Sequence, residues 1–164
     1  MTPTLQQNPS AKHARADIPN TVSVTEALSE VLAETYRLIL KSHFCHWNVT
    51  GPLFFSIHEM TQAQYTDMFA AVDVLAERIR ALGKPALVKP TALAAGPDGQ
   101  DPDAELSAIE MVKDLHSDHE RLAQNMRALV ETAEAAKDPV TADLATERAA
   151  FHEKAAWMLR ATAV

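Results

Sequence analysis

His46 and His58 stand twelve residues apart on either side of Asn48-Val49-Thr50-Gly51-Pro52, and Asp73 and Glu77 follow at a spacing of four. Imidazole nitrogen together with carboxylate oxygen suits Fe(II), Mn(II) or Zn(II). The segment from Asn48 to Pro52 is a short turn with two strong helix breakers, so His46 closes one helix, His58 opens the next, and the turn brings them near each other. Asp73 and Glu77, at i and i+4 of the second helix, share one face. His58 and Asp73 are nevertheless fifteen residues apart on that helix, roughly 22 Å. They cannot bind the same ion within one chain.

A two-fold axis removes that obstacle. If the second helix packs antiparallel on its copy near Gln64 to Met68, His46 and His58 of one chain face Asp73 and Glu77 of the other, giving two equivalent sites. Fifteen residues rotate a helix by about 60°, so both groups stay on a similar side. A plainer alternative stays open: a histidine beside Trp47 can be a hydrogen-bonded core residue. Glu77 next to Arg78 and Arg80 can be a surface ion pair. The di-iron site built inside a single helix bundle uses Glu-x-x-His, and none of the histidines here has glutamate three residues before it. His116 and His119, at i and i+3, are a further ligand-like spacing, and His43 sits one turn before His46.

These residues need long helices to position them. Apolar residues recur at helical spacing at Leu28, Val31, Leu32, Thr35, Leu38 and Ile39, after Ser23 with Glu26 as a capping box, and predict a first helix to about Trp47. A second runs from about Leu53–Ser56 to Leu82, where Gly83 and Pro85 stop it. Residues 83–100 hold three prolines and three glycines, long enough to cross back along a helix of about 40 Å. Asp101-Pro102 predicts the start of a third helix, and Asp138-Pro139 that of a fourth reaching about Ala161. Four helices with one long crossover between helices two and three make an all-α, ferritin-like four-helix bundle over residues 21–164. Residues 1–20, polar and with three prolines, read as a flexible N-terminal tail.

Composition narrows the function classes. The 164 residues include only four glycines, and 5% aromatics argue against a sandwich or barrel. No apolar run approaches the ~20 residues that span a bilayer, and the first twenty residues lack the apolar core of a secretory signal. Cys45 is the single cysteine, which excludes an internal disulfide framework and fits a reducing cytoplasm; it is read as structural. A net charge of −7 does not favour nucleic acid, whereas it does favour cations.

The stretch Lys41 to Pro52, with His46-Trp47-Asn48 in it, then Ile57-His58-Glu59-Met60, Gln64-Tyr65 and Asp73-Val-Leu-Ala-Glu77-Arg78-Ile-Arg80-Ala-Leu-Gly83, resembles the Dps family, mini-ferritins named as DNA-binding proteins from starved cells. The likeness is dense over residues 22–83 and weaker over 101–162, where His152-Glu-Lys-Ala-Ala-Trp157-Met-Leu takes part. It implies a cytoplasmic homododecameric shell that oxidises Fe(II), preferentially with hydrogen peroxide, and stores ferric iron inside, protecting against oxidative damage. It implies ferroxidase sites made by His46 and His58 of one subunit with Asp73 and Glu77 of its two-fold mate, Glu77 bridging two iron positions. Trp47 is implied as a nearby electron donor that intercepts radicals, although it can equally be an aromatic packed on the helix end. Four residues after the second histidine, where the family usually carries Asp or Glu, this chain has Gln62. A neutral amide is a weaker ligand for a hard cation than a carboxylate, so the second iron position is weakened.

Asp143 and Glu147, i and i+4 on the fourth helix, fall by that resemblance at an acidic three-fold pore that draws cations inward; an ordinary solvated helix face is the alternative. The competing function is a nucleoid-associated protein that compacts DNA with little ferroxidase activity. Its tail would offer only Lys12, Arg15 and the amino terminus against Asp17, so DNA is expected as a weak, salt-sensitive partner helped by twelvefold avidity.

Overall fold

The computed structural model describes residues 18–87 and 106–163. Among these residues there are four α-helices: α1 (Thr21–Asn48), α2 (Phe54–Ala81), α3 (Ala108–Ala135) and α4 (Pro139–Thr162). The periodic apolar positions of α1 named above are all buried, and α2 buries Ile57, Met68, Val72, Leu75 and Ile79 along one stripe. They meet Leu115, Leu122, Met126 and Leu129 of α3 in a continuous core. Each such side chain removed from water contributes about 1.5–3 kcal/mol. The inward face of α4 is built differently, largely of alanine with Leu159. Small side chains let α4 lie close against α3, because interaxial distance follows the residues at the contact.

Cross-helix polar contacts fix the directions. Late in α1, Lys41 binds Asp114 and Asp118 near the start of α3, each at 2.6 Å, whereas mid-α1 Glu34 accepts from Asn125 further along α3. The two helices are therefore antiparallel. Between α2 and α4 the pairs are Asp67 with Arg148 and Arg78 with Asp138, antiparallel again. The hairpin of α1 and α2 then leaves α2 and α3 pointing the same way. Their connection must return along the length of the bundle, about 40 Å for 28 residues. This is the long crossover of a ferritin-like bundle; its residues 88–105 lie outside the described residues, as does most of the expected tail.

Two helix starts differ from expectation. Ser23 is not the cap of α1: it lies inside the first turn and its hydroxyl donates to the Asn20 carbonyl at 3.2 Å. The helix starts at Thr21 because Asn20 adopts a left-handed conformation (φ 56°), which asparagine tolerates and which reverses the chain after Pro19. The described part of α3 starts at Ala108, with Ser107 as N-cap, instead of at Asp101-Pro102, which lie outside the described residues. Ser107 and Glu110 form a reciprocal capping box there: the Ser107 hydroxyl accepts from the Glu110 amide and the Ser107 amide donates to the Glu110 carboxylate at 2.8 Å.

Asp138 caps α4 as expected, and does more. Fully buried, it accepts from the Thr141 amide and hydroxyl and from the Arg78 guanidinium at 2.6 Å, tying the end of α2 to the α3–α4 turn. Burial pushes the Asp138 carboxyl up, but the bonds from Arg78 and Thr141 outweigh it and hold the group below its ordinary value. Asp138→Ala strands a nearly buried guanidinium and removes the cap, and should cost about 3–5 kcal/mol in denaturant unfolding at pH 7. Because the folded pKa is depressed, that contribution is present above the unfolded carboxyl value of about 3.9 and is lost as pH falls below it. The gap between wild type and variant should therefore narrow below about pH 4; a gap constant down to pH 3 would contradict this assignment.

Candidate metal centre

The five residues between α1 and α2 form a tight reversal. The Val49 amide closes α1 on the Cys45 carbonyl at 2.9 Å, and the Phe54 amide reaches back to the Gly51 carbonyl at 3.0 Å. Gly51 has φ 90°, with no atom within 4 Å of where a Cβ would stand. Backbone conformation, rather than lack of space, demands glycine here.

Across this reversal His46 and His58 hold each other. The Nδ1–H of His46 donates to the His58 carbonyl and the Nδ1–H of His58 to the His46 carbonyl, both at 2.9 Å, and the rings stack with centroids 3.6 Å apart. A carbonyl only accepts, so both Nδ1 atoms carry the proton and each neutral ring keeps its lone pair on Nε2. A backbone partner on one imidazole nitrogen is the usual way a metal-binding histidine is oriented and its tautomer set. Thr61, fully buried, donates to the carbonyls of Ile57 and His58 and steadies the first turns of α2.

Aromatic rings brace the pair. Tyr65 meets the His46 ring edge-on at 5.3 Å and lies 4.0 Å from the ring of His43, which in turn stacks on Trp47 at 5.3 Å. Trp47 is 70% exposed, so it does not fill the core of its own chain. His43 is a packing partner of Tyr65 and Trp47. The Tyr65 contact with His46 has no sequence signal beyond a position two helical turns after His58.

Asp73 and Glu77 lie at the far end of α2, both exposed, and neither forms an ion pair or hydrogen bond among the described residues. The plainer alternative fails for Glu77: Arg78 turns to Asp138 and Thr141, and Arg80 donates to the Lys84 carbonyl. Gln62 is exposed one turn after His58. Gln64 and Met68, expected at the crossing of α2 with its copy, are instead buried in their own chain's core. The outward stripe of α2 is His58, Gln62, Thr66, Phe69, Asp73 and Glu77, at spacings of three and four, with Phe69 60% exposed at its middle. Imidazole stands at one end of this stripe and carboxylates at the other, with roughly 22 Å between His58 and Asp73. Among the described residues no three histidine, cysteine, aspartate or glutamate side chains of one chain converge as a metal site.

The remaining candidates separate. His116 lies 3.3 Å from Glu120, while His119 is buried against His152, so the two do not share a ligand position. Cys45 is buried, and burial together with Asp114 pushes its thiol up to about 11, which keeps it protonated and inert. Asp143 and Glu147 are exposed on α4, and Asp143 borders a shallow depression with Glu134, Lys137 and Thr146 at the α3–α4 turn. No described helix is long and apolar enough to cross a membrane.

Known proteins share this fold. A family model of the ferritin-like domain matches residues 25–164. The DNA protection during starvation protein of Brevibacillus brevis is 33% identical over 138 residues, covering 84% of this chain and 93% of that protein. DNA protection during starvation protein 2 of Bacillus anthracis is 34% identical over 139 residues, 84% and 94% of the two chains. Among solved structures, a Dps protein from Bacillus brevis superposes with a TM-score of 0.76 at 33% identity, covering 84% of this chain and 93% of the other. The Dps protein of Vibrio cholerae O1, described as a member of a broad superfamily of ferritin-like diiron-carboxylate proteins, superposes with a TM-score of 0.80 at 27% identity, covering 93% and 98%. By fold, by family model and by identity over most of its length, the chain belongs to the Dps family of ferritin-like proteins.

Proposed function

We propose that this protein is a ferroxidase and iron store whose oxidation sites are completed only between two copies of the chain. The outward stripe of α2 carries this reading: with a second α2 antiparallel across a two-fold near Thr66 and Phe69, His58 of each copy comes opposite Asp73 and Glu77 of the other. The exposed Phe69 supplies apolar surface at the crossing. Fe(II) is the substrate. His46, through Nε2, with Asp73 and Glu77 of the mate, forms the first position; His58, with Glu77 bridging and Gln62 nearby, forms the weaker second one. Two Fe(II) ions each give one electron to a hydrogen peroxide molecule, which takes up two protons and leaves as two waters. The chain's part is to hold two one-electron donors beside one two-electron oxidant, so that no hydroxyl radical is released. Trp47 intercepts a stray oxidising equivalent, a role that its exposure and its stacking on His43 support.

The same reading makes the assembly a shell of twelve that encloses ferric mineral in the cytoplasm, with Asp143 and Glu147 lining acidic three-fold entrances. Their exposure and the acidic balance of the chain support that placement. DNA compaction is the lesser role, since the whole chain carries −7 and few cations lie in residues 1–20.

Light scattering on the purified protein should give a particle near twelve times 17.9 kDa, about 215 kDa. A stable monomer or isolated dimer would overturn the shell.

Stopped-flow iron oxidation on His46→Ala, on Asp73→Ala and on co-refolded hybrids of the two tests the shared site. Each variant alone should lose at least about tenfold in rate, as ligand losses do. A hybrid two-fold pair holds one site lacking both ligands and one intact site, so activity should return in part. No recovery in verified hybrids would mean that His46 and Asp73 act within one chain.

Gln62→Glu restores a carboxylate at the second position. It should tighten the second Fe(II) by about tenfold and raise the peroxide-driven rate, since one added charge near the ion is worth a factor of that order. Unchanged stoichiometry and rate would place Gln62 away from the iron.

A further inference from the structure

The α3–α4 hairpin contains a polar contact that the metal centre does not use. His119 of α3 and His152 of α4 are fully buried, and their Nδ1 atoms share a hydrogen bond at 2.9 Å. One ring donates and the other accepts, so the neutral pair holds opposite tautomers. The Nε2 atoms of both rings are buried too, without a hydrogen-bond partner among the described residues. An added proton must go to the bare Nε2 of the donor ring, where no acceptor meets it. A second would remove the lone pair that accepts the Nδ1 bond.

The surroundings offer the extra charge no counter-ion. On α4, Arg148 lies one turn before His152, its guanidinium 4.3 Å above the Phe151 ring, and it reaches Asp67 of α2 at 2.7 Å. On α3, Asp118 neighbours His119 but is engaged by Lys41 of α1 and by Arg121, while His116 lies toward Glu120. No carboxylate bonds to either imidazole, and Arg148 opposes protonation of both. The apolar closure around the pair is thin, since His152 is flanked on its helix by the buried alanines Ala149, Ala155 and Ala156. A bundle face made of methyl groups buries far less apolar surface per residue than one made of leucine.

We propose that the His119–His152 pair is an acid-sensitive lock on the α3–α4 hairpin, closed while both rings are neutral and released by their protonation before the α1–α2 hairpin loosens. Burial, against the pull of Asp118 and with the push of Arg148 and His116, holds the His119 ring down to about 4. Burial, His119 and Arg148 hold His152 down to about 2. In an opened hairpin both rings titrate near the free value of about 6.5. The opened state then binds more protons than the closed one from about pH 6.5 down to the closed-state values, so acid favours opening over that range. Between about pH 6 and 4 each ring adds close to tenfold per pH unit, and the two together close to a hundredfold. Above about pH 7 neither state takes up protons here and the lock is fully closed.

Amide hydrogen exchange, read peptide by peptide on the full-length assembled protein at pH 7.5 and pH 5 and corrected for intrinsic amide rates, tests this. Peptides of α3 and α4 should lose at least tenfold in protection on acidification, and peptides of α1 and α2 clearly less. In the His119→Leu/His152→Leu double variant, that selective loss should disappear. If the variant's α3–α4 protection falls by the same factor as wild type, or the wild-type loss is uniform over the four helices, the lock does not exist. A second measurement avoids any packing change from leucine. Exchange of the histidine C2 hydrogens in the wild type reads each ring's protonation, and both rings should stay neutral at pH 5 while the hairpin is closed. Titration of either ring near 6.5 with α3–α4 amide protection intact would equally overturn the proposal.

Discussion

A straight α-helix advances 1.5 Å per residue, so side chains fifteen residues apart cannot meet on one ion. Because α2 is unbroken from Phe54 to Ala81, the His58 imidazole at its start and the carboxylates near its end are held apart by the same hydrogen-bonded rod that presents them. The outward stripe from His58 to Glu77 puts imidazole and carboxylates on one face of the helix without bringing them to one point. The family's other architecture, with Glu-x-x-His pairs converging inside one bundle, is closed to this sequence. Its interior is filled instead by leucine, isoleucine and methionine on three helices and by alanine with a buried histidine on the fourth.

Rigidity at the imidazole end comes from backbone rather than from side-chain networks. The two reciprocal bonds across the Val49–Leu53 reversal use carbonyls that the helix ends leave free or share, so orienting each ring costs no further polar group. Ring stacking and the edge of Tyr65 limit rotation about the remaining torsions. A ligand positioned this way loses little conformational entropy on binding, which is where much of the affinity of a preorganised site lies.

Much of this was legible in the sequence. The end of α1 and the bounds of α2 and α4 follow from apolar periodicity, from Gly51 and Gly83, and from Asp138-Pro139, each a strong local signal, whereas the start of α1 is set by left-handed Asn20 and not by the Ser23–Glu26 box. The beginning of α3 was not legible, because Asp101-Pro102 and Ser107 with Glu110 are both good starts, and the reciprocal capping box forms at the second. Within the stretch Gln64 to Met68, expected to face a copy of α2, Gln64 and Met68 themselves turn into the core. Both fall on the stripe that continues to Val72, Leu75 and Ile79, so core periodicity claims them before any partner can. Directions of neighbouring helices, the escape of Arg78 from Glu77, and the meeting of His119 with His152 all depend on tertiary register. Local spacing carries no information about residues that are distant along the chain.

The pairing of Arg78 with Asp138 also settles what an ion approaching the surface encounters. Had the guanidinium lain along the surface of its own helix, it would have offset part of the charge of Asp73 and Glu77. With that cation turned inward onto a buried carboxylate, Asp73 and Glu77 project a negative field over the adjacent solvent, which the exposed Arg80 of the last turn partly offsets. At an ionic strength near 0.15 M such a field reaches about 8 Å before salt screens it. Within that distance it raises the encounter frequency of divalent cations without adding a contact to them once bound. An internal ion pair of the bundle thus shapes the charge that an approaching cation meets at the surface.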